Sequence, residues 1–106
     1  MALHKLSQQE AEQQLSDLPL WQFDGLQGSI TREFVWPDFL QAFAFMSKIA
    51  ALAENHQHHP EWHNVYNKVR ITWTTHDVQG LSSKDIEMAR LCDEWFIAGN
   101  SLNTTQ

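Results

Sequence analysis

The stretch VYNKVRITWTT, residues 65–75, is rich in the β-branched and aromatic residues that are typical of β-strands. Val65-Tyr66 and the run from Val69 to Thr75 predict two strands that are joined at Asn67-Lys68. Pro60 separates this pair from the preceding segment, because proline disfavours continued helix. The stretch therefore predicts a β-hairpin in the second half of the chain.

A similar hairpin is predicted earlier in the chain. Trp21-Gln22-Phe23 and the run from Ile30 to Val35 contain enough aromatic and β-branched residues for two strands. Gly25 and Gly28 lie between them and are suited to a turn. The two hairpins together supply four antiparallel strands.

The segment between the hairpins predicts the longest helix of the protein. Pro37 is suited to the first helical position, where its missing N–H has no intrahelical partner to lose. An apolar stripe follows at helical spacing, formed by Phe39, Phe43, Met46, Ile49, Ala50 and Ala53. Such a stripe indicates core or a subunit interface rather than a cofactor pocket.

Two further helices are predicted, one before the first hairpin and one after the second. Ser7 and Glu10 have the spacing of a capping box, and the helix that they begin is expected to end near Pro19. Ser82 and Asp85 resemble another N-terminal cap. The residues that continue this last helix are Ile86, Ala89, Arg90, Asp93 and Phe96.

The element order αββαββα predicts an α+β fold, in which three helices pack on one face of a four-stranded antiparallel sheet. With 106 residues the chain is long enough for one layered core, so residues 1–106 are expected to form a single domain. A hydrophobic content of 42%, with 5 Trp and 6 Phe, excludes a disordered chain. Only the tail, residues 99–106, is expected to fray.

Charge and composition narrow the possible partners. The chain has 13 acidic and 7 scattered basic residues, a formal charge of -6, which argues against direct nucleic-acid binding. It begins without an apolar run of secretory length, and no apolar run approaches the roughly 20 residues that span a bilayer. Cys92 has no second cysteine for an internal disulfide. We therefore expect a soluble, cytoplasmic protein with no membrane partner.

Histidines dominate the candidate functional residues. His56, His58, His59 and His63 fall within eight residues, and His76 ends the predicted strand that begins at Val69. Histidine gives and takes protons near neutral pH, so a cluster at an element boundary suggests acid-base catalysis. On composition alone, the same residues could equally be the polar end of a helix.

Metal binding and nucleophilic catalysis are weaker interpretations. His59 and His63 have the four-residue spacing of zinc ligands on a helix, but Pro60 interrupts the helix that this spacing requires, so no metal site is predicted. The sequence contains no G-x-S-x-G elbow, no Walker loop and no G-x-G-x-x-G. Any catalytic site would therefore depend on histidine.

One ordered set of residues resembles the signature of the pterin-4a-carbinolamine dehydratases. The set is Glu54, His58-His59-Pro60, Tyr66, His76 and Asp85, with successive gaps of three, five, nine and eight residues. Including the typical neighbouring segments, the resemblance extends over residues 20–98. The fold that it implies is a four-stranded antiparallel sheet with three helices on one side, which agrees with the fold predicted from periodicity.

The resemblance implies a hydro-lyase that needs no cofactor. The family reaction removes water from 4a-hydroxytetrahydrobiopterin, the product of an aromatic amino acid hydroxylase, and yields quinonoid dihydropterin for tetrahydrobiopterin recycling. Hydroxide leaves poorly unless it is protonated, and a ring nitrogen must lose a proton, so two proton transfers are required. Family members assemble as homodimers or homotetramers.

The resemblance also implies roles for individual residues. His58 and His76 would form the acid-base pair around the 4a-hydroxyl, while His59 would hold the pterin and assist proton transfer. Glu54 could hydrogen-bond a histidine and favour its charged form, and Asp85 would cap the last helix beside the site. The expected substrate-binding set is His58, His59, Pro60, Trp62, Thr75, His76, Asp77 and Val78.

Two alternative functions follow from the same resemblance. Some animal members of the family bind the dimerisation helices of a transcription factor and act as coactivators through their helical oligomer surface. Some bacterial relatives are linked to molybdopterin-related metabolism. The sequence leaves open both alternatives, the side chain of the natural pterin and the choice between dimer and tetramer.

Overall fold

The computed structural model describes residues 3–104, which form three α-helices and two β-hairpins in the predicted order αββαββα. The elements are α1 Gln8–Gln14, β1 Gln22–Asp24, β2 Ser29–Val35, α2 Phe39–His56, β3 Glu61–Val65, β4 Lys68–Trp73 and α3 Ser83–Thr104. Short 3₁₀ turns, Leu15–Asp17 and His76–Val78, follow α1 and β4. The predicted fold class is confirmed.

The four strands form one antiparallel sheet in the order β1-β2-β4-β3. The register of the two central strands pairs Ile30 with Trp73 and Phe34 with Val69. These four side chains are fully buried and alternate with more exposed ones, so one face of the sheet is apolar. Residues of all three helices join the same core cluster, which places the helices on that face.

The core between sheet and helices is largely aromatic and aliphatic, and burial of each large side chain is worth about 1.5–3 kcal/mol. Arg32 is partly buried beside this core, with its guanidinium 4.4 Å from the centroid of the Phe34 ring. Arg32 also donates to the Asp93 carboxylate at 2.6 Å, and the Trp21 indole N–H donates to the same oxygen at 2.9 Å. This partly buried ion pair joins β2 to α3.

Several boundaries differ from the prediction. α2 begins at Phe39 rather than at Pro37, because Asp38 is its N-cap and the Asp38 carboxylate accepts the N–H of Gln41 at 2.8 Å. The second hairpin turns at Tyr66-Asn67, one residue earlier than predicted, since Val65 pairs directly with Lys68. Its strands also differ: β3 begins before Val65, and β4 ends at Trp73 rather than Thr75.

The buried face of α2 is also rotated relative to the predicted stripe. Its buried residues are Ala42, Phe45, Ile49 and Ala53. Phe39 and Phe43, which were predicted to be part of the stripe, are 43% and 53% exposed and contact each other with ring centroids 5.8 Å apart. The prediction had combined residues from two faces of the helix.

The last helix continues into the segment of residues 99–106, which was expected to fray. α3 ends at Thr104, while residues 105–106 lie outside the described part of the chain. Gly99 packs against Trp36 so closely that a Cβ at this position would collide with the indole ring. This contact holds the C-terminal part of α3 on the core. Within residues 3–104, no helix combines the length and the hydropathy needed to cross a membrane.

The loop between β4 and α3 is closed on itself and anchored to the first hairpin. Thr75 and Gly80 exchange two backbone hydrogen bonds, of 2.9 and 3.3 Å, and the Thr74 hydroxyl donates to the Gly28 carbonyl at 2.7 Å. Gly28 has a φ of +67°, and a Cβ there would lie 2.5 Å from the Gly80 Cα. This close backbone approach fixes the 3₁₀ turn that begins with His76.

Candidate active site

The end of α2 positions His58 through a Schellman motif. Gln57 adopts left-handed backbone angles, φ 52° and ψ 44°, and its N–H donates to the Glu54 carbonyl at 3.1 Å. The N–H of His58 donates to the Ala53 carbonyl at 3.0 Å. These are the two hydrogen bonds that define the motif, and they turn the chain sharply where the helix ends. His58 consequently lies next to the N-terminus of α3.

His58 forms a buried pair with Asp85. Its Nε2 lies 2.6 Å from Asp85 Oδ1, and the two residues are 9% and 0% exposed. Its imidazole stacks on the Trp73 ring, with centroids 5.6 Å apart and planes inclined by 15°. A carboxylate oxygen only accepts, so His58 donates from Nε2. The Nδ1 of His58 is therefore the nitrogen that remains for exchanging protons with a ligand.

The other carboxylate oxygen of Asp85 organises the surrounding backbone. Asp85 Oδ2 accepts the Thr75 hydroxyl at 2.7 Å and the Ser82 N–H at 2.9 Å. Because the Thr75 proton is committed to Asp85, the Ser82 hydroxyl donates to the Thr75 oxygen, at 2.7 Å. One buried carboxylate thus joins the end of α2, the segment after β4 and the start of α3, and it is fully hydrogen-bonded as buried charges usually are.

The other two predicted catalytic histidines lie beside carboxylates at the surface. His59 Nε2 is 2.8 Å from Glu54 Oε1, and these side chains are 65% and 79% exposed. His76 Nε2 is 3.6 Å from Glu61 Oε2, with exposures of 83% and 62%. Both imidazoles are therefore accessible to a ligand from solvent.

These contacts link neighbouring segments around the N-terminus of α3. Asp85 connects the end of α2 to the loop of residues 75–80. Glu61 connects that loop to the start of β3, directly after His58-His59-Pro60. All three predicted catalytic histidines consequently lie on adjacent segments.

The residues predicted to bind the substrate differ in accessibility. Pro60, Trp62 and Val78 are half-buried, and Asp77 is exposed. Thr75 is only 4% exposed, and its amide N–H and its hydroxyl are both engaged within the protein. This placement favours a supporting role for Thr75 over the direct substrate contact that the sequence predicted.

Glu61 and Trp73 have no role predicted from the sequence, yet both contact a histidine of the site. Trp73 is the last residue of β4, and its place on the inward face of an alternating strand could have indicated that it is buried, but not that it stacks on His58. Glu61 follows Pro60 directly in the sequence, but its contact with His76 depends on the folded loop.

His59 and His63 do not lie on one helix, as the zinc interpretation of their spacing would require. His63 lies in β3, paired with Arg70, on the face of the sheet that points away from the helices. Within residues 3–104, no group of three His, Cys, Asp or Glu side chains is arranged as metal ligands would be.

Comparison with known proteins places the chain in a family. The family model for pterin 4 alpha carbinolamine dehydratase matches residues 4–95. A Rhizorhabdus wittichii protein, provisionally named a pterin-4-alpha-carbinolamine dehydratase, is 48% identical over 89 residues, which cover 84% of this chain and 92% of the relative. A Synechococcus protein with the same provisional name is 49% identical over 88 residues, or 83% of this chain and 92% of the relative.

The fold is also similar to that of a solved protein. A crystal structure of a transcriptional coactivator/pterin dehydratase from Brucella melitensis has a TM-score of 0.84 and 40% sequence identity, and the match covers 87% of this chain and 98% of that one. The structural similarity therefore extends over most of both chains. This chain belongs to the pterin 4 alpha carbinolamine dehydratase family.

Proposed function

We propose that this chain is a hydro-lyase that dehydrates 4a-hydroxytetrahydrobiopterin to quinonoid 6,7-dihydropterin. The observation that carries the proposal is the buried pair of His58 and Asp85, next to the segment that bears His76 at the surface. Two histidines in different surroundings are suited to a reaction with two proton transfers. Membership of the family supports the reaction class.

The chemistry requires only these proton transfers. The C4a–O bond breaks as the hydroxyl takes a proton and leaves as water, while the electron pair of a ring nitrogen forms a C=N bond and that nitrogen loses its proton. Protons given and taken are equal in number, so neither a cofactor nor an oxidant is needed. One histidine of the pair His58 and His76 gives the proton and the other takes it. His58 acts through Nδ1, since Asp85 holds its Nε2.

The substrate is proposed to lie against the segments around these histidines. His59, paired with Glu54, would hold the pterin and assist proton transfer. Pro60 and Trp62 are half-buried and offer flat apolar surface to the ring. The backbone of Asp77-Val78 would meet the polar edge of the pterin.

The physiological role that we propose is tetrahydrobiopterin recycling in the cytoplasm, after an aromatic amino acid hydroxylase has produced the carbinolamine. The formal charge of -6 supports a small-molecule substrate rather than direct binding to nucleic acid.

Stopped-flow absorbance of enzymatically generated 4a-hydroxytetrahydropterin tests the reaction. The wild type should accelerate dehydration with or without a metal chelator, and His58→Ala and His76→Ala should each lose about 10²–10⁴-fold in rate, the usual contribution of general acid-base catalysis. His63→Ala is the matched control, because His63 lies in β3 outside the site, and it should keep the wild-type rate. Full activity of folded His76→Ala would contradict the mechanism.

We also propose that the exposed face of α2 forms a homodimer or homotetramer interface. Phe39, Leu40 and Phe43 are 43%, 78% and 53% exposed, and exposed apolar clusters of this kind mark interaction surfaces. The same face supports a second candidate function, coactivation through helix binding, and the Brucella melitensis protein is named a transcriptional coactivator/pterin dehydratase.

Point mutations at two different places distinguish the two functions. Phe43→Glu should lower the mass measured by analytical ultracentrifugation and abolish helix binding, whereas His58→Ala and His76→Ala should leave both intact. A Phe43→Glu variant with unchanged mass would exclude this face as the interface.

A further inference from the structure

Two consecutive residues at the start of α3 bind the end of α2. Asp85 accepts the ring N–H of His58, as described above. Its neighbour Lys84 donates from Nζ to the main-chain carbonyl of His56 at 2.7 Å. The Schellman motif uses the carbonyls of Ala53 and Glu54, so the His56 carbonyl takes its hydrogen bond from outside α2.

Lys84 is unfavourably placed with respect to its own helix. It lies in the first turn of α3, where the partial positive charge of the helix N-terminus disfavours a cation. The end of α2 is the opposite case, because the partial negative charge and the unpaired carbonyls of a helix C-terminus attract a lysine. The contact across the helices is therefore the one that explains a lysine at this position.

The segment that Lys84 holds is under backbone strain. Gln57, between His56 and His58, has a φ of 52°, a conformation that is costly for a residue with a side chain. Such a conformation persists when its surroundings fix it. Lys84 fixes the main chain before Gln57 and Asp85 fixes the side chain after it, so the two contacts together hold the turn.

We infer that Lys84 is a positioning residue for the dehydration, which sets the main chain of residues 56–58 so that the His58 ring meets Asp85. The inference rests on the proposed function for its effect on rate, although its effect on His58 is independent of any substrate. Loss of the lysine should let the turn move and loosen the ring, and small displacements of a catalytic group cost rate without changing the binding of the substrate.

A proton NMR measurement on the free protein reads the position of His58 directly. The short hydrogen bond from His58 Nε2–H to Asp85 should give a slowly exchanging downfield signal, assigned by its loss in His58→Gln. In Lys84→Met this proton should exchange with water about tenfold faster or broaden away, and kcat should fall by about tenfold with little change in KM. Lys84→Arg keeps the donor and the charge, and should restore both readouts.

Glu87→Gln is the matched control. Glu87 lies on the same helix and contacts the side chain of His56, at 3.6 Å from its Nδ1, but not the main chain. It should leave both the NMR signal and kcat unchanged, which separates positioning of the turn from general docking of α2 on α3. If Lys84→Met does not fold, Lys84→Gln, which is too short to make the same contact, takes its place.

The outcomes distinguish this inference from the proposed function. A folded Lys84→Met protein with the wild-type downfield signal and kcat would overturn the role of Lys84. A wild type that does not accelerate dehydration, with the His58 signal nonetheless lost in Lys84→Met, would overturn the proposed reaction and leave the positioning of His58 established.

Discussion

The site contains two kinds of histidine–carboxylate pair, one buried and two exposed. His58 and Asp85 are almost entirely removed from water, and the carboxylate also accepts two further hydrogen bonds. The pairs of His59 with Glu54 and of His76 with Glu61 are largely exposed. The same chemical groups therefore have different physical roles, because burial strengthens electrostatic interactions and makes the loss of a partner costly.

This difference separates the part of the site that supports the fold from the part that faces solvent. A buried pair fixes the tautomer and orientation of its ring, whereas an exposed pair is screened by water and contributes about 0–1 kcal/mol to stability. Replacement of a residue of the buried pair should therefore lower both the activity and the free energy of unfolding. Replacement of a residue of an exposed pair should lower the activity alone.

Replacement of Asp85 should have the largest effect on the free energy of unfolding. Asp85→Ala leaves His58, Thr75 and the Ser82 amide without their common acceptor, and the free energy of unfolding should fall by about 3–5 kcal/mol. Urea denaturation followed by circular dichroism measures the change, and activity should be lost with it. An Asp85→Ala protein as stable as the wild type would mean that the buried pair does not hold the fold.

Burial of an ionisable group should also affect stability at alkaline pH. Burial raises the pKa of the Cys92 thiol from 9.0 to about 12. The unfolded chain loses this proton first, so stability is fully present below about pH 9 and falls as the pH rises toward about 12, by at most about 1.4 kcal/mol per pH unit. Urea midpoints measured between these pH values should fall more steeply for the wild type than for Cys92→Ala, and equal slopes would contradict the burial of this thiol.

The smallest effect is expected for the exposed pairs. Glu54→Gln and Glu61→Gln should change the free energy of unfolding by less than about 0.5 kcal/mol, because water already screens these carboxylates. The same denaturation experiment at low and high salt provides the measurement. A loss of 2 kcal/mol or more, roughly the scale of a buried group left unpaired, would show that an exposed pair holds the fold as Asp85 does.

Most of the fold could be predicted from the sequence, because strands and helices leave periodic patterns in the chain. The errors lie at positions where side-chain capping and tertiary contacts, rather than periodicity, determine a helix boundary or the burial of a residue. Capping by Asp38 makes Phe39, rather than Pro37, the first residue of α2, and the packing against Trp36 extends α3 past Gly99. The exposure of Phe39 and Phe43 could not be predicted, because α2 has apolar residues on more than one face.

The candidate site was predictable only as a set of residue types. The capping spacing of Ser82 and Asp85 is visible in the sequence, but the contact of Asp85 with His58 spans 27 residues and depends on how α2 and α3 pack. For the same reason neither the stacking of His58 on Trp73 nor the contact of His76 with Glu61 could be foreseen. Both depend on tertiary structure rather than on local pattern.

The double use of the Asp85 carboxylate has a consequence for local opening of the structure. One oxygen caps the first turn of α3 while the other holds His58, so fraying of that turn and release of the histidine are a single event. A ligand that binds only the closed arrangement would suppress this event by mass action. Occupancy of the histidine site should thus appear as slower amide hydrogen exchange in the first turn of α3.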